Sequence, residues 1–352
     1  MRHEHFMQRC IDLAKNGLGT TYPNPLVGSV IVHKDTIIGE GWHRKAGEAH
    51  AEVNAVNSVK DQSLLKESTL YVNLEPCSHF GKTPPCADMI IRMKIPNVVV
   101  GAVDPNQQVA GKGIEKLRAA GIDVTVGILD DVCLELNSRF FTFHNKKRPY
   151  IILKWAESAD GFLAPTGKDE RKPVWITSQA SRQLVHKWRS EEASILVGTQ
   201  TVVDDNPRLN VRDWNTINQP IRLVIDKSGR IPAASHIFDN EQKTVVFSKE
   251  KRFADSENLT FETVDFGLDI LPQMLDAMHR RGIQSVIVEG GNRTLQSFID
   301  AGLWDEARIF VGQSLFGNGT KSPTLNRRDS KENWIDKDKL LMIRNHDQHH
   351  YF

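Results

Sequence analysis

Short apolar runs rich in β-branched residues alternate with amphipathic stretches along this chain, and the alternation stops once and starts again. The runs LVGSVIV (26–32), TLYVNL (69–74), NVVVGAVD (97–104) and GIDVTVGI (121–128) are separated by helical patterns at 50–59, 86–93 and 114–120. Strands alternating with helices in this way build layered α/β sheets. A basic break, HNKKRP (144–149), then precedes a second series: YIILKWA, SILVG (194–198), IRLVID (221–226), TVVFS, SVIVEGG and ARIFVG (307–312), with helical patterns at 181–190, 270–281 and 293–301. The pattern predicts two α/β domains, 1–146 and 147–352. A length of 352 residues agrees, since about 150 residues make one domain.

Composition removes several classes of function. With 39% hydrophobic and 25% charged residues the chain reads as globular and soluble, and a net charge of +1 gives no electrostatic reason to expect a nucleic-acid or membrane partner. No apolar run approaches the roughly 20 residues that cross a bilayer. The opening MRHEHFMQRCIDLAKNG has the pattern of an amphipathic helix and lacks the apolar core of a signal peptide. A cytoplasmic location is expected, and there a cysteine pair is more often a metal site than a disulfide. Of the four cysteines, Cys10 and Cys133 fall in apolar helical patterns and read as core.

The other two sit in LEPCSHFGKTPPC (74–86). Cys77 follows a strand, after Glu75-Pro76. Cys86 follows Pro84-Pro85, and proline favours the first turn of a helix. Both sulfurs are thus expected near helix N-termini, where thiolate is stabilised. Upstream, AHAEV (49–53) places His50 and Glu52 two residues apart at the start of a helical pattern. One histidine and two thiolates make three ligands and leave a fourth tetrahedral position open, the mark of catalytic zinc. A carboxylate that is not a ligand must then move protons, and Glu52 is placed for it. This is the H-x-E…P-C pattern of the zinc deaminases, with an insertion between the cysteines. A structural zinc site remains the other reading, with His79 as fourth ligand.

Four segments in order, TYPNPLVGSVIV, GEGWH, AHAEV and LEPCSHFGKTPPC, closely resemble the deaminase half of the bifunctional deaminase–reductase of riboflavin biosynthesis. The resemblance implies a cytidine-deaminase-like three-layer domain acting on 2,5-diamino-6-ribosylamino-4(3H)-pyrimidinone 5′-phosphate, with Asn24, His43, His79 and Lys82 holding substrate. In the second half, WAESADGFLA, VWITS, ILVGTQTVVDDNPRLNVR and IVEGGNRTL resemble, in family order, the reductase half of the same enzymes. That half implies a dihydrofolate-reductase-like fold and NADPH as cofactor. By position, Arg189, Leu209, Arg212 and Glu289 would meet substrate. The cofactor would lie along Ala156, Trp175, Thr201, Asp205 and the run Gly291, Asn292, Arg293, Thr294, Leu295, Gln296 and Ser297. Lys154 and Asp160 would shape the site. A homodimer or tetramer is also implied.

The residues themselves say less here. Two glycines between a strand and a helix suit a phosphate at the helix N-terminus, but equally a tight turn. Arginines grip phosphate bidentately, but also face water. Two positions depart from the family: Lys227, expected to meet the cofactor's 2′-phosphate or solvent, and Pro173, where relatives carry a hydroxyl. The closing HDQHH suits a strand surface or a frayed tail better than a metal. The competing function is a cytidine or RNA-base deaminase with an accessory second domain.

Overall fold

The computed structural model describes residues 2–80, 84–105, 110–167, 174–216 and 218–345. They fall into two compact units that divide between Lys146 and Lys147.

The first unit opens with helix α1 (Arg2–Ala14), followed by a hairpin of β1 (Gly28–His33) and β2 (Thr36–Trp42). Helix α2 (Ala51–Ser58) leads to β3 (Thr69–Leu74), α3 (Cys86–Arg92) to β4 (Asn97–Ala102), and α4 (Lys112–Ala119) to β5 (Asp123–Val126). Helices α5 (Asp130–Leu136) and α6 (Ser138–Lys146) close it. The sheet order is β2-β1-β3-β4-β5, antiparallel across its first three strands and parallel across its last three. Side chains alternate across a strand. Ile31, Val72 and Val100 pack on one face with Val56, Ile90 and Ile114 of α2, α3 and α4. On the other face a Cβ at Gly28 would lie 2.1 Å from the Cys10 carbonyl of α1, and one at Gly101 would lie 2.4 Å from Cys133 of α5. Helices thus cover both faces, and both cysteines are core.

Strand β2 is missing from the sequence-based expectation because TIIGEGW carries two glycines, which weaken a strand pattern. The structure gives the reason for one of them. A Cβ at Gly41 would sit 2.3 Å from the Ala55 amide of α2, so glycine lets the helix that begins at His50 lie directly on the sheet.

In the second unit β6 (Tyr150–Glu157) and β7 (Phe162–Pro165) precede α7 (Gln179–Glu191), β8 (Ser194–Gly198), α8 (Thr199–Asp205), β9 (Ile221–Ile225), β10 (Thr244–Ser248) and β11 (Leu259–Thr263). Then come α9 (Ile270–Arg280), β12 (Ser285–Val288), α10 (Asn292–Asp300), β13 (Glu306–Val311), β14 (Gly319–Lys321), β15 (Lys331–Ile335) and β16 (Asp338–Arg344). Nine strands run in the order β11-β10-β9-β8-β12-β6-β13-β16-β15, parallel up to β13 and antiparallel beyond it, while β7 and β14 pair separately. The polar segment after Lys321, which shows no strong period in the sequence, supplies the closing hairpin. Its edge strand β15 is almost wholly exposed and carries lysine and glutamate, as edges that resist further pairing do. No helix among the described residues is long and apolar enough to cross a membrane.

Candidate active sites

In the first unit α2 starts at an extended His50, its N-cap, and Glu52 follows in the first turn. Both therefore lean over one helix end. Cys77 lies just beyond the C-terminal end of β3, and Cys86 is the first residue of α3. His50 Nδ1 stands 3.5 Å from Cys77 Sγ and 3.3 Å from Cys86 Sγ. Tetrahedral zinc, with Zn–S near 2.3 Å and Zn–N near 2.0 Å, sets N···S separations of roughly 3.5 Å. The donor set fits the ion, and among the described residues it is the one cluster of possible metal ligands. His79 is exposed and lies outside that cluster.

The electrostatics agree with a site that exchanges protons for a metal. Cys77 is held well below the usual thiol range by hydrogen bonds from Cys86 and His50, while the neighbouring Cys86 is pushed up by its contact with Cys77 and by burial. The hydrogen bond to Cys77 lifts His50 to about 8. A bound cation displaces such protons. The Cys86 amide also donates to Cys77 Sγ at 3.3 Å. Glu52 is 3% exposed, and burial raises its carboxyl to about 7 against the opposing charge of His50.

His50, Glu52 and Cys77 open on a cavity of about 360 Å³, also lined by Asn24, His43, Glu48, Glu75, His79 and Asp104. His43 is buried with both ring nitrogens engaged. Nδ1 donates to the Ala49 carbonyl at 3.1 Å, so Nε2 accepts from the Asn24 amide at 3.0 Å. Burial lowers its pKa, which keeps that neutral form. The loop carrying Asn24 is clamped by two asparagines that the sequence does not single out. Asn137 accepts the Leu26 N–H at 2.8 Å, and Asn73 accepts that of Gly28 at 2.7 Å. Both also donate to the Leu26 carbonyl. Lys82, Pro173 and the HDQHH run lie outside the described residues.

In the second unit, Glu289 at the end of β12 takes a two-pronged contact from Arg189 of α7, at 3.1 Å to Nε and 2.6 Å to Nη2, with Lys154 Nζ 3.9 Å away. Burial alone would raise the Glu289 carboxyl; the Arg189 and Lys154 charges overcome it and hold the pKa at about 2. Arg212 is exposed beside Asn210 and Asp213. Its amide donates to the ring of His186, which burial and the two arginines keep neutral down to about 4. The Leu209 side chain is core, packed with Ile195, Val202 and Ile231.

Thr201 and the run from Gly291 lie where β8 and β12, adjacent and parallel, each end in a helix start. Gly291 caps α10 with no side-chain bond of its own, and a Cβ there would be 3.8 Å from Thr201 of α8. A Cβ at Gly290 would strike Thr294 at 2.7 Å, so the turn needs glycine. Asn292 donates to the Lys321 carbonyl, Gln296 to Asp300, and the Ser297 hydroxyl to the Thr294 carbonyl. Arg293 is exposed, whereas Leu295 is fully buried and reaches this place only through its backbone. Asp205 ends α8, and Ala156 is half-buried in β6. Trp175 is 56% exposed, with the Arg182 guanidinium 4.7 Å above its ring. Lys227 is exposed, 5.7 Å from the Phe266 ring. Asp160 accepts the amides of Phe316 and Gly317, tying the β6–β7 turn to a later loop.

The metal site marks one α/β unit as a zinc-deaminase type, and the glycine-framed helix start of the other suits a phosphate-bearing ligand; together with the chain's relatives, the class is a two-domain enzyme, a zinc-binding deaminase joined to a reductase. Known proteins narrow the class. Residues 1–102 match the family described as "Cytidine and deoxycytidylate deaminase zinc-binding region", and residues 149–341 match "RibD C-terminal domain". The chain is 41% identical over 334 residues to the riboflavin biosynthesis protein RibD of Aquifex aeolicus, covering 94% of this chain and 92% of that one. Two solved structures superpose at a TM-score of 0.87 with 34% identity, covering 97% of this chain and 98% of each: Acinetobacter baumannii RibD, and a Thermotoga maritima diaminohydroxyphosphoribosylaminopyrimidine deaminase/5-amino-6-(5-phosphoribosylamino)uracil reductase. The chain belongs to the RibD family, the bifunctional deaminase–reductases of riboflavin biosynthesis. The match through the second unit sets aside a cytidine or RNA-base deaminase with an accessory domain.

Proposed function

We propose that the first unit removes the 2-amino group of 2,5-diamino-6-ribosylamino-4(3H)-pyrimidinone 5′-phosphate as ammonia. The second then reduces the ribosyl group of the product with NADPH, giving 5-amino-6-(5-phosphoribitylamino)uracil. The observation that carries this reading is the cluster of His50, Cys77 and Cys86, opening with a buried Glu52 on one cavity through His50 and Cys77, in a chain of this family.

His50, Cys77 and Cys86 hold zinc. The ion makes water a competent nucleophile at neutral pH. Glu52, buried beside the ligands and not among them, takes one proton from the attacking water and passes it to the ring. It then takes the second, from the hydroxyl now on the ring carbon, and passes it to the departing amine as the C–N bond breaks and ammonia leaves. The neutral His43 holds Asn24 so that it meets the pyrimidine, and His79 and Lys82 meet the phosphate-bearing side of the substrate.

In the second unit NADPH supplies the hydride, and the protein binds, orients and balances charge. The N-terminus of α10 takes a cofactor phosphate, with Thr201, Asp205, Ala156 and Trp175 along the rest and Lys227 at the 2′-phosphate. Arg189 is already committed to Glu289, so the substrate phosphate falls chiefly to Arg212, with Leu209 contributing backbone. A cytoplasmic setting suits the four free thiols.

The test follows ammonia and NADPH absorbance together in one cuvette with the diaminopyrimidine ribosyl phosphate. Ammonia release followed by NADPH loss is expected. NADPH loss that precedes or proceeds without ammonia would reverse the order of the steps.

A further inference from the structure

Glu75 has no part in the chemistry above, yet its carboxylate is buried two residues before Cys77. Oε2 accepts the backbone N–H groups of Asp104 at 3.2 Å and Gly111 at 2.8 Å; Oε1 accepts those of Gly113 at 2.8 Å and Ile114 at 3.3 Å. The last two belong to the first turn of α4, whose N-cap, Gly111, offers no side chain. The cap is therefore supplied by a strand end from elsewhere in the sequence. A carboxylate is tolerated in such a place only because these donors replace water.

The contact leaves little room to shift. A Cβ at Gly113 would lie 2.0 Å from the Pro76 carbonyl oxygen and 3.1 Å from Glu75 Oε1. The same backbone continues directly into the metal site, where the Cys77 carbonyl accepts the Ala87 N–H at 3.1 Å. Asp104, at the other end of the carboxylate, lines the cavity with His50, Cys77 and Glu75 itself.

We propose that Glu75 is a positioning residue of the deaminase site. It locks the segment that carries Cys77 to the start of α4 and to Asp104, and so holds the thiolate where the metal needs it. The inference rests on the zinc reading of the site. Four N–H donors converge on one side chain, which requires an acceptor at both ends. Glutamine has one acceptor oxygen and would turn its own N–H groups on two of the four donors. Aspartate keeps both acceptors but falls a methylene short.

The test uses the full-length, zinc-loaded chain and a chromophoric chelator that reports zinc release. Ammonia production and the reductase rate on the deaminated substrate are measured alongside. Glu75→Gln is expected to release zinc about tenfold faster or more, in line with groups that support metal ligands, and to lose deaminase kcat while the reductase rate holds. Glu75→Asp is expected between wild type and Glu75→Gln. Leu70→Val, a core change in the same strand, measures general destabilisation and is expected to release zinc like wild type.

Unchanged zinc release in both Glu75 variants overturns the proposal. So does release from Leu70→Val as fast as from Glu75→Gln at an equal loss of unfolding temperature. If Glu75→Gln does not accumulate folded, Glu75→Asp against wild type decides, and equal release rates overturn it. A wild-type chain that holds no zinc overturns this proposal and the zinc reading together, whereas zinc in the wild type with equal release in the variants overturns this proposal alone.

Discussion

The first unit gathers its reactive groups on side chains that converge from helix and strand ends: His50, Cys77 and Cys86 in one cluster, with His50, Cys77 and Glu52 facing one cavity. The second offers mostly backbone, glycines at 290 and 291 and a helix start with no side-chain cap, beside a half-buried Glu289 flanked by two cations. Under the proposed function the difference follows from what each would hold. A metal ion accepts few side-chain types at fixed separations, whereas a dinucleotide phosphate is satisfied by amides that any residue provides. The first site is therefore expected to be intolerant of single changes, and the second to spread its grip over many weak ones.

The largest effect that would sharpen this contrast is expected from Cys86→Ala. It should abolish bound zinc and ammonia release while leaving NADPH oxidation with the deaminated substrate at its wild-type rate. Metal analysis and the two assays on one preparation check it, and a parallel fall in the reductase would break the independence of the two sites.

Next is Glu289→Gln, which leaves the half-buried Arg189 and Lys154 without their carboxylate. A loss of about 3 kcal/mol is expected from breaking such a pair, read by the tryptophan fluorescence of urea unfolding, since six of the seven tryptophans lie after residue 147. The pair also sets a pH dependence. The folded pKa of Glu289, about 2, lies below its ordinary value of 4.5, so the unfolded chain binds the extra proton between those values. The stabilisation is fully present above about pH 4.5 and is lost as pH falls towards 2. The gap between wild type and Glu289→Gln should shrink over that window. A gap that widens there would contradict the assignment.

Gly290→Ala comes third. Its methyl would collide with Thr294 and displace the first turn of α10, so the KM for NADPH should rise about tenfold, or ~1.4 kcal/mol, with ammonia release unchanged. Smallest is Lys227→Gln, expected to narrow the preference for NADPH over NADH about threefold, the size of a single exposed charge contact near 1 kcal/mol or less. Equal preference before and after would assign Lys227 to solvent.

What could be read in advance follows the same division. The spacing of His50, Glu52, Cys77 and Cys86 is visible because coordination dictates residue type. Strands such as Thr69–Leu74 and Ser194–Gly198 are visible because each carries an unbroken apolar run, Leu70–Val72 and Ile195–Val197. Glu75, Asn73 and Asn137 leave no such mark. Each bonds backbone groups distant in sequence, and nothing in the residue type says which. Strand β2 hides behind glycines that a neighbouring helix requires, and the β15–β16 hairpin hides in a polar edge. The Glu289 cluster is legible only through family resemblance, because a lone acid after a strand carries no spacing signal.

The measurement that tests the account most directly separates the two reactions in one variant. Zinc-loaded Glu52→Gln is given the diaminopyrimidine substrate and, separately, its deaminated product with NADPH. The account predicts ammonia release reduced about 10²-fold or more, the scale of a lost proton-transfer group, with zinc content and NADPH oxidation unchanged. Ammonia release near the wild-type rate would contradict it.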